Sequence, residues 1–148
     1  MGMVYADIEL INAEDLAMAR RNLLDQDEIR RIHINILVDN GSYMMAINQN
    51  IQSILNLPFK YKKRLQLADA QACEYDVVGP LEVKLGDRTA TCNAVVLPGD
   101  SEPLLGAIPM EEMGVLINPQ RQELIALPEP YLKFMTLIPF KNSSKSIV

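Results

Sequence analysis

The stretch Arg30-Arg31-Ile32-His33-Ile34-Asn35-Ile36-Leu37-Val38-Asp39-Asn40-Gly41-Ser42 alternates and then stops. Ile32, Ile34, Ile36 and Val38 fall on one side of a period-two pattern, with Arg31, His33 and Asn35 on the other, which is the spacing of a half-buried strand. The strand delivers an acid directly into a glycine turn. Taken alone, Asp-Asn-Gly is a hairpin signal, because Asn-Gly is the favoured pair where the backbone takes positive φ. The flanking segments decide between a plain turn and a site.

On the N-terminal side, residues 4–11 repeat the alternation, with Val4, Ala6, Ile8 and Leu10 against Tyr5, Asp7 and Glu9, and predict another strand. Asn12 is suited to cap a short helix containing Asp15, Leu16, Met18 and Ala19, and the polar run Asp25-Gln26-Asp27-Glu28 breaks the pattern. On the C-terminal side, residues 43–47 read as a strand. Asn48 is then a candidate cap for a helix in which Ile47, Ile51, Ile54 and Leu55 recur at helical spacing until Leu57-Pro58. Residues 65–67 and 72–78 flank Ala68-Asp69-Ala70-Gln71 as a hairpin would. Gly79-Pro80 predicts a turn before a strand over 81–85, and Gly86-Asp87-Arg88 turns that strand into another over 89–97. A loop over 98–103 leads to the apolar pair Leu104-Leu105 closed by Gly106. Residues 109–113 suit a short helix, with Pro near its start and Gly114 past its end. A last hairpin is expected from 115–117 and 123–127. The expected organisation is one domain over residues 1–128 and a Pro-broken, loosely held tail over 129–148.

Composition narrows the function classes. A chain of 148 residues is the size of one domain, and 49% apolar with 22% charged residues is the balance of a globular protein. A formal charge of -5 argues against a surface that tracks phosphates, so no nucleic-acid partner is expected. The longest basic cluster, Lys60, Lys62, Lys63 and Arg64, reads as a solvated loop. No uncharged apolar run approaches the ~18 residues that would span a bilayer, and no secretory signal opens the chain. The expectation is therefore a cytoplasmic protein with no membrane partner. Cys73 and Cys92 lie in alternating segments and read as small, reduced, buried hydrophobes. His33 is the sole histidine and points away from the apolar face of its strand, so a Ser-His-Asp or Cys-His arrangement lacks its parts. Cysteine, histidine and acid spacings give no metal site, no glycine-rich phosphate loop is present, and no cofactor is expected.

Asp39 is left as the one candidate catalytic carboxylate, and the order of the segments around it resembles a known family. Leu37-Val38-Asp39-Asn40-Gly41-Ser42, a hairpin, a meander, then Leu104-Leu105-Gly106, a short helix and a closing strand is similar to the retropepsin-like, or retroviral-type, aspartic proteases. Leu67-Ala68-Asp69, Val77-Val78-Gly79-Pro80 and Leu104-Leu105-Gly106-Ala107-Ile108-Pro109 look like the small prokaryotic members. The resemblance covers roughly residues 5–127. It implies a mostly β fold, a closed β-barrel or acid-protease half with one or two short helices, acting as a dimer.

The same resemblance implies an aspartic-type endopeptidase. In that family two Asp side chains share one proton, since two like charges in contact cannot both ionise. This sequence holds one Asp-x-Gly of the right kind, so the second carboxylate would come from another copy and the implied assembly is a two-fold homodimer. Gly41 and Ser42 match the active-site loop pattern. Asn40 departs from it, standing where relatives use the hydroxyl of Thr or Ser to lock the two loops together. Leu104, Leu105 and Gly106 match the structural motif. Ala68, Asp69 and Ala70 are placed like the tip of the flap that covers a bound peptide. A peptide or protein substrate follows. The rival implication, motivated by Asn40, is a dimeric peptide-binding or interaction module that kept the fold with hydrolysis weakened or lost; a third reading is a non-proteolytic β-barrel with a chance turn.

Overall fold

The alternating segments become strands because each has one face to bury. In the computed structural model, which describes residues 3–66, 71–128 and 139, β1 (Val4–Asn12) buries Val4, Ala6, Ile8 and Leu10 and turns Tyr5 and Asp7 outward. It pairs antiparallel with β2 (Arg31–Val38), from Val4 opposite Val38 to Ile11 opposite Arg31. Between them lie helix α1 (Ala13–Arg20) and a single 3-10 turn, Gln26–Glu28. Next come β3 (Met45–Asn48), α2 (Gln49–Leu55), β4 (Phe59–Leu65), β5 (Cys73–Leu85) and β6 (Arg88–Leu97). The two-residue β7 (Leu104–Leu105), α3 (Ala107–Met113) and the hairpin of β8 (Val115–Asn118) with β9 (Glu123–Ala126) complete the described chain.

Six strands are hydrogen-bonded in a closed ring, β1-β2-β7-β3-β6-β5, because the second half of β1 also pairs with β5, from Glu9 opposite Lys84 to Asn12 opposite Leu81. The ring encloses the main core, in which Leu10, Ile36, Met45, Ile47, Leu81, Val83 and Leu105 are completely or almost completely buried. β4 lies outside it, paired with β5. That outer position gives β3, β5, β6 and β7 a second buried face, where Ala46, Val77, Val95 and Leu97 form a separate apolar cluster with Met44, Leu65, Tyr75 and Leu104 against it. Alternation therefore sends Met45 and Ile47 into the ring and Ala46 out toward this second cluster.

Buried asparagines fix two strand-to-helix corners. Asn12 Oδ1 accepts from Asp15 N (3.0 Å) and its Nδ2 donates to Leu55 O (2.9 Å), so one side chain caps α1 and ties it to the end of α2. Asn48 Oδ1 accepts from Ile51 N (2.8 Å) while its Nδ2 donates to Ser101 O (2.9 Å). The buried Asp15 receives three hydrogen bonds from Arg30, from its Nε, a terminal guanidinium nitrogen and its backbone N, each 2.9 Å. The Arg30 side-chain bonds hold the Asp15 carboxyl below its ordinary value against the opposing effect of burial.

Several expectations are corrected. Gly79-Pro80 is no turn: β5 runs through it as one strand, and the irregularity is absorbed as a register shift between Val78 and Leu81. The Cβ of any other residue at Gly79 would stand 3.1 Å from the Asn93 Cα and collide with its side-chain oxygen. Lys60, Lys62, Lys63 and Arg64 lie on strand β4, not in a loop; they are exposed because β4 is outside the ring. Cys73 is exposed for a related reason, opening β5 opposite the end of β4, whereas Cys92 is largely buried. The described helices number three, because the Asn12-capped segment forms one as well. No helix is long and apolar enough to cross a membrane among the described residues. The tail over 129–148, apart from Pro139, lies outside the described residues.

Candidate active site

Asp39 begins where β2 ends. Its backbone N donates to Leu105 O (3.0 Å), continuing the parallel pairing of Leu37 with Leu104 and Val38 with Leu105. Its Oδ1 accepts from Gly41 N (3.0 Å), and its carbonyl accepts from Ser42 N (3.1 Å), so the loop folds back on the acid that opens it. A Cβ at Gly41 would approach that Oδ1 to 3.2 Å and crowd the carboxylate. Ser42 Oγ donates to Met44 O (3.0 Å) and closes the loop onto β3. Asp39 is half-buried, and Asn40 and Gly41 are exposed.

The second motif sits directly behind the first. β7 is inserted between β2 and β3, parallel to one and antiparallel to the other, with Ala46 opposite Leu104. Beyond it Ala107 N donates to Ser42 O (2.8 Å) and Ile108 N to Tyr43 O (3.1 Å). Just before these bonds a Cβ on Gly106 would lie 2.7 Å from the Met44 carbonyl carbon, 2.9 Å from Ser42 O and closer still to Met44 O. Gly106 is required by close backbone approach, since its φ of -89° is open to any residue. Asp39, Gly41 and Ser42 are thus brought together with Leu104, Leu105 and Gly106, although more than sixty positions separate the two motifs in the chain.

Asp39 borders two concavities. One, about 590 Å³, runs from the Asp39 loop past Tyr43, Met44 and Leu104 to Lys63, Leu65 and Gln66 at the end of β4, with Val95 and Leu97 of the second apolar cluster in its lining. Tyr43 is 72% exposed, leaving a large ring to solvent at this groove. The other, about 370 Å³, is bounded by Met3, Val4, Asp39 and Asn40 on one side and Ile117, Pro119 and Gln122 of the last hairpin on the other. Among the described residues no buried side-chain polar atom lacks a hydrogen bond, so no orphaned group points to a missing ligand.

A scan against protein-family models and a search of curated proteins both return no match to this chain.

Other candidate chemistry is weak here. His33 is exposed on β2, opposite Glu9. Burial pushes the Cys92 thiol up to about 12, so it remains protonated and is a poor nucleophile. Asp25, Asp27 and Glu28 form the one acidic trio of ligand-like spacing among the described residues, and all three are exposed. Its Glu28 carboxylate already accepts from Asp25 N (3.0 Å) in a capping box. Ala68, Asp69 and Ala70 lie outside the described residues; on either side of them β4 and β5 pair antiparallel, with Leu65 opposite Cys73. Sequence reading missed Tyr43, Lys63 and Leu65 as groove residues. The alternation of Lys63 and Leu65 was available as a signal, but the long basic run obscured the strand.

Proposed function

We propose that this chain is an aspartic-type endopeptidase of retropepsin-like fold, working in the cytoplasm as a homodimer in which each copy supplies one Asp39. The observation that carries this reading is the placement of the Asp39 carboxylate at the head of a largely apolar groove beside the β4–β5 arms. Such a groove suits an extended peptide, whose backbone bonds to strand elements while alternate side chains enter apolar ground. The second concavity, bordered by Asn40, Met3 and the last hairpin, is where the partner's loop would meet this one.

Paired across the two-fold axis, the two Asp39 side chains share one proton and titrate as a unit. The ionised carboxylate takes a proton from a water as its oxygen bonds to the scissile carbonyl carbon. The protonated carboxyl polarises the carbonyl oxygen, and proton return to the amide nitrogen breaks the C–N bond. The products are a carboxylate and an amine. No other group is needed for the proton balance.

Asn40 favours one alternative. A planar amide in place of a hydroxyl alters whatever lock the two loops make, and the groove would still bind peptide without hydrolysing it. The test is a peptide-library cleavage assay from mildly acidic to neutral pH, on wild type and Asp39→Asn, with sedimentation of both. Cleavage present in wild type, absent in Asp39→Asn and accompanied by a dimer is the expected result. A strict monomer at tens of micromolar, or a dimer with no Asp39-dependent cleavage, defeats the peptidase reading.

A further inference from the structure

Among the described residues that line the 590 Å³ groove, two carry a formal charge, Asp39 and Lys63. The remaining lining is apolar or neutral, with Met44, Leu65, Leu97 and Leu104 as its large aliphatic side chains. Alternation on β4 divides the basic run. Lys62 and Arg64 stand opposite Asp76 and Glu74 of β5, and Lys62 Nζ donates to Asp76 Oδ1 at 3.0 Å. Lys63 stands opposite Tyr75, which packs against the apolar cluster beneath the groove. The cross-strand partners thus answer Lys62 and Arg64 with carboxylates, while Lys63 meets a neutral ring on the side that faces the groove.

We propose that Lys63 is a specificity-determining residue, selecting an extended peptide that carries a carboxylate two residues from a large apolar side chain. This rests on the groove being a peptide site, as argued above. Lys63 and Leu65 share a strand face two residues apart, roughly 7 Å. A peptide lying along them presents its own alternate side chains at the same interval, so an apolar group on Leu65 and Leu104 sets the next same-face residue against Lys63. An ammonium whose cross-strand partner is the neutral Tyr75, with no ion pair among the described residues, takes an acid there. The carboxylate has two sources, an Asp or Glu side chain or the free C-terminus of the peptide.

The test is fluorescence anisotropy with labelled eight-residue peptides of central sequence Leu-Ala-Glu, Leu-Ala-Gln or Leu-Ala-Lys. A fourth peptide ends in Leu-Ala-Gly with its C-terminus free or amidated. Each is titrated into the Asp39→Asn chain carrying Lys63, Lys63→Gln or Lys63→Glu. With Lys63 the Glu peptide should bind about two- to fivefold tighter than the Gln peptide, the range of one part-exposed ion pair, and salt should shrink the difference. Lys63→Gln should erase the preference and Lys63→Glu should turn it toward the Lys peptide. A free C-terminus preferred over an amidated one, without a Glu preference, assigns the carboxylate to the chain end. The same ranking in all three variants, a uniform loss for every peptide, or no binding overturns the proposal. Charge-swapped binding without wild-type cleavage leaves Lys63 standing and removes the peptidase reading; Asp39-dependent cleavage indifferent to peptide charge does the reverse.

Discussion

Gly106→Ala is the sharpest probe of how the candidate site is built. The added methyl would be 2.7 Å from the Met44 carbonyl carbon and 2.9 Å from Ser42 O, both backbone atoms that cannot rotate aside. Relief requires moving β7 away from the segment 42–44, which strains the bonds from Ala107 N to Ser42 O and from Ile108 N to Tyr43 O. Overpacking typically costs 1–3 kcal/mol and each weakened bond adds up to ~1 kcal/mol, so the expected loss is about 3 kcal/mol. With a urea slope of roughly 2 kcal/mol/M, the unfolding midpoint should fall by about 1.5 M with little change in slope. Gly99→Ala is the control: at φ +58° with no atom within 4 Å, it carries only the backbone penalty. That penalty is about 1 kcal/mol, or about 0.5 M. Equal midpoints for the two variants would refute the tight junction between the Asp39 loop and β7.

Asp15→Asn, measured by the same denaturation, should cost about 2 kcal/mol, because it leaves Arg30 without its charged partner at a corner where the Asp15 side chain is 4% exposed and that of Arg30 is 43% exposed. The folded Asp15 carboxyl lies below its ordinary value of 3.8, so its contribution is complete above that value and disappears as pH falls through the folded one; acid titration of stability should therefore be shallower in Asp15→Asn than in wild type. Cys73 should react with a thiol reagent in the native protein and Cys92 only after unfolding, read by absorbance with and without denaturant. Asn40→Thr should tighten the proposed dimer and raise peptide hydrolysis, checked by sedimentation and by the ratio of kcat/KM to wild type; an unchanged ratio would separate Asn40 from the lock between loops.

The parts of the fold that read clearly from sequence are those whose burial pattern is one-sided. β1 and β2 alternate because one face of each closes on the ring core, and Asn12 and Asn48 announce their helices because an amide oxygen at that position accepts a first-turn N–H. Gly79-Pro80 misled because turn chemistry is local, whereas the continuity of β5 is imposed from outside by β6, which pairs on both sides of the shift. The run 59–65 hid a strand because Lys63 interrupts the period-two spacing of Phe59, Tyr61 and Leu65 and the basic residues dominate it; in the fold little covers it, and Phe59 and Tyr61 are 57% and 45% exposed. The loop acid and the Leu104-Leu105-Gly106 motif were visible as separate words, but their adjacency depends on β7 entering between β2 and β3, which no local pattern encodes. The direction of Lys63 was illegible for the same reason, because it requires the register that sets Lys63 opposite Tyr75.

That insertion also explains why the candidate site is placed where it is. Leu105 points into the ring core and Leu104 into the cluster under β4, so the two-residue strand behind Asp39 is held from both faces. A loop braced in this way keeps its carboxylate fixed while its outer residues, Asn40 and Gly41, remain exposed. Such an arrangement suits a group that must be pre-organised toward something outside the chain, since a displacement of even a fraction of an ångström weakens a catalytic pair. The Gly86-Asp87 turn between β5 and β6 is built differently: its glycine stands in open space, and the side chain of Arg88 just after it donates to the backbone carbonyls of Met113, Gly114 and Leu127. The contrast between these two Gly-containing turns, one packed backbone to backbone against Gly106 and one tied only through a long side chain, is what lifts Asp39 above an ordinary turn acid.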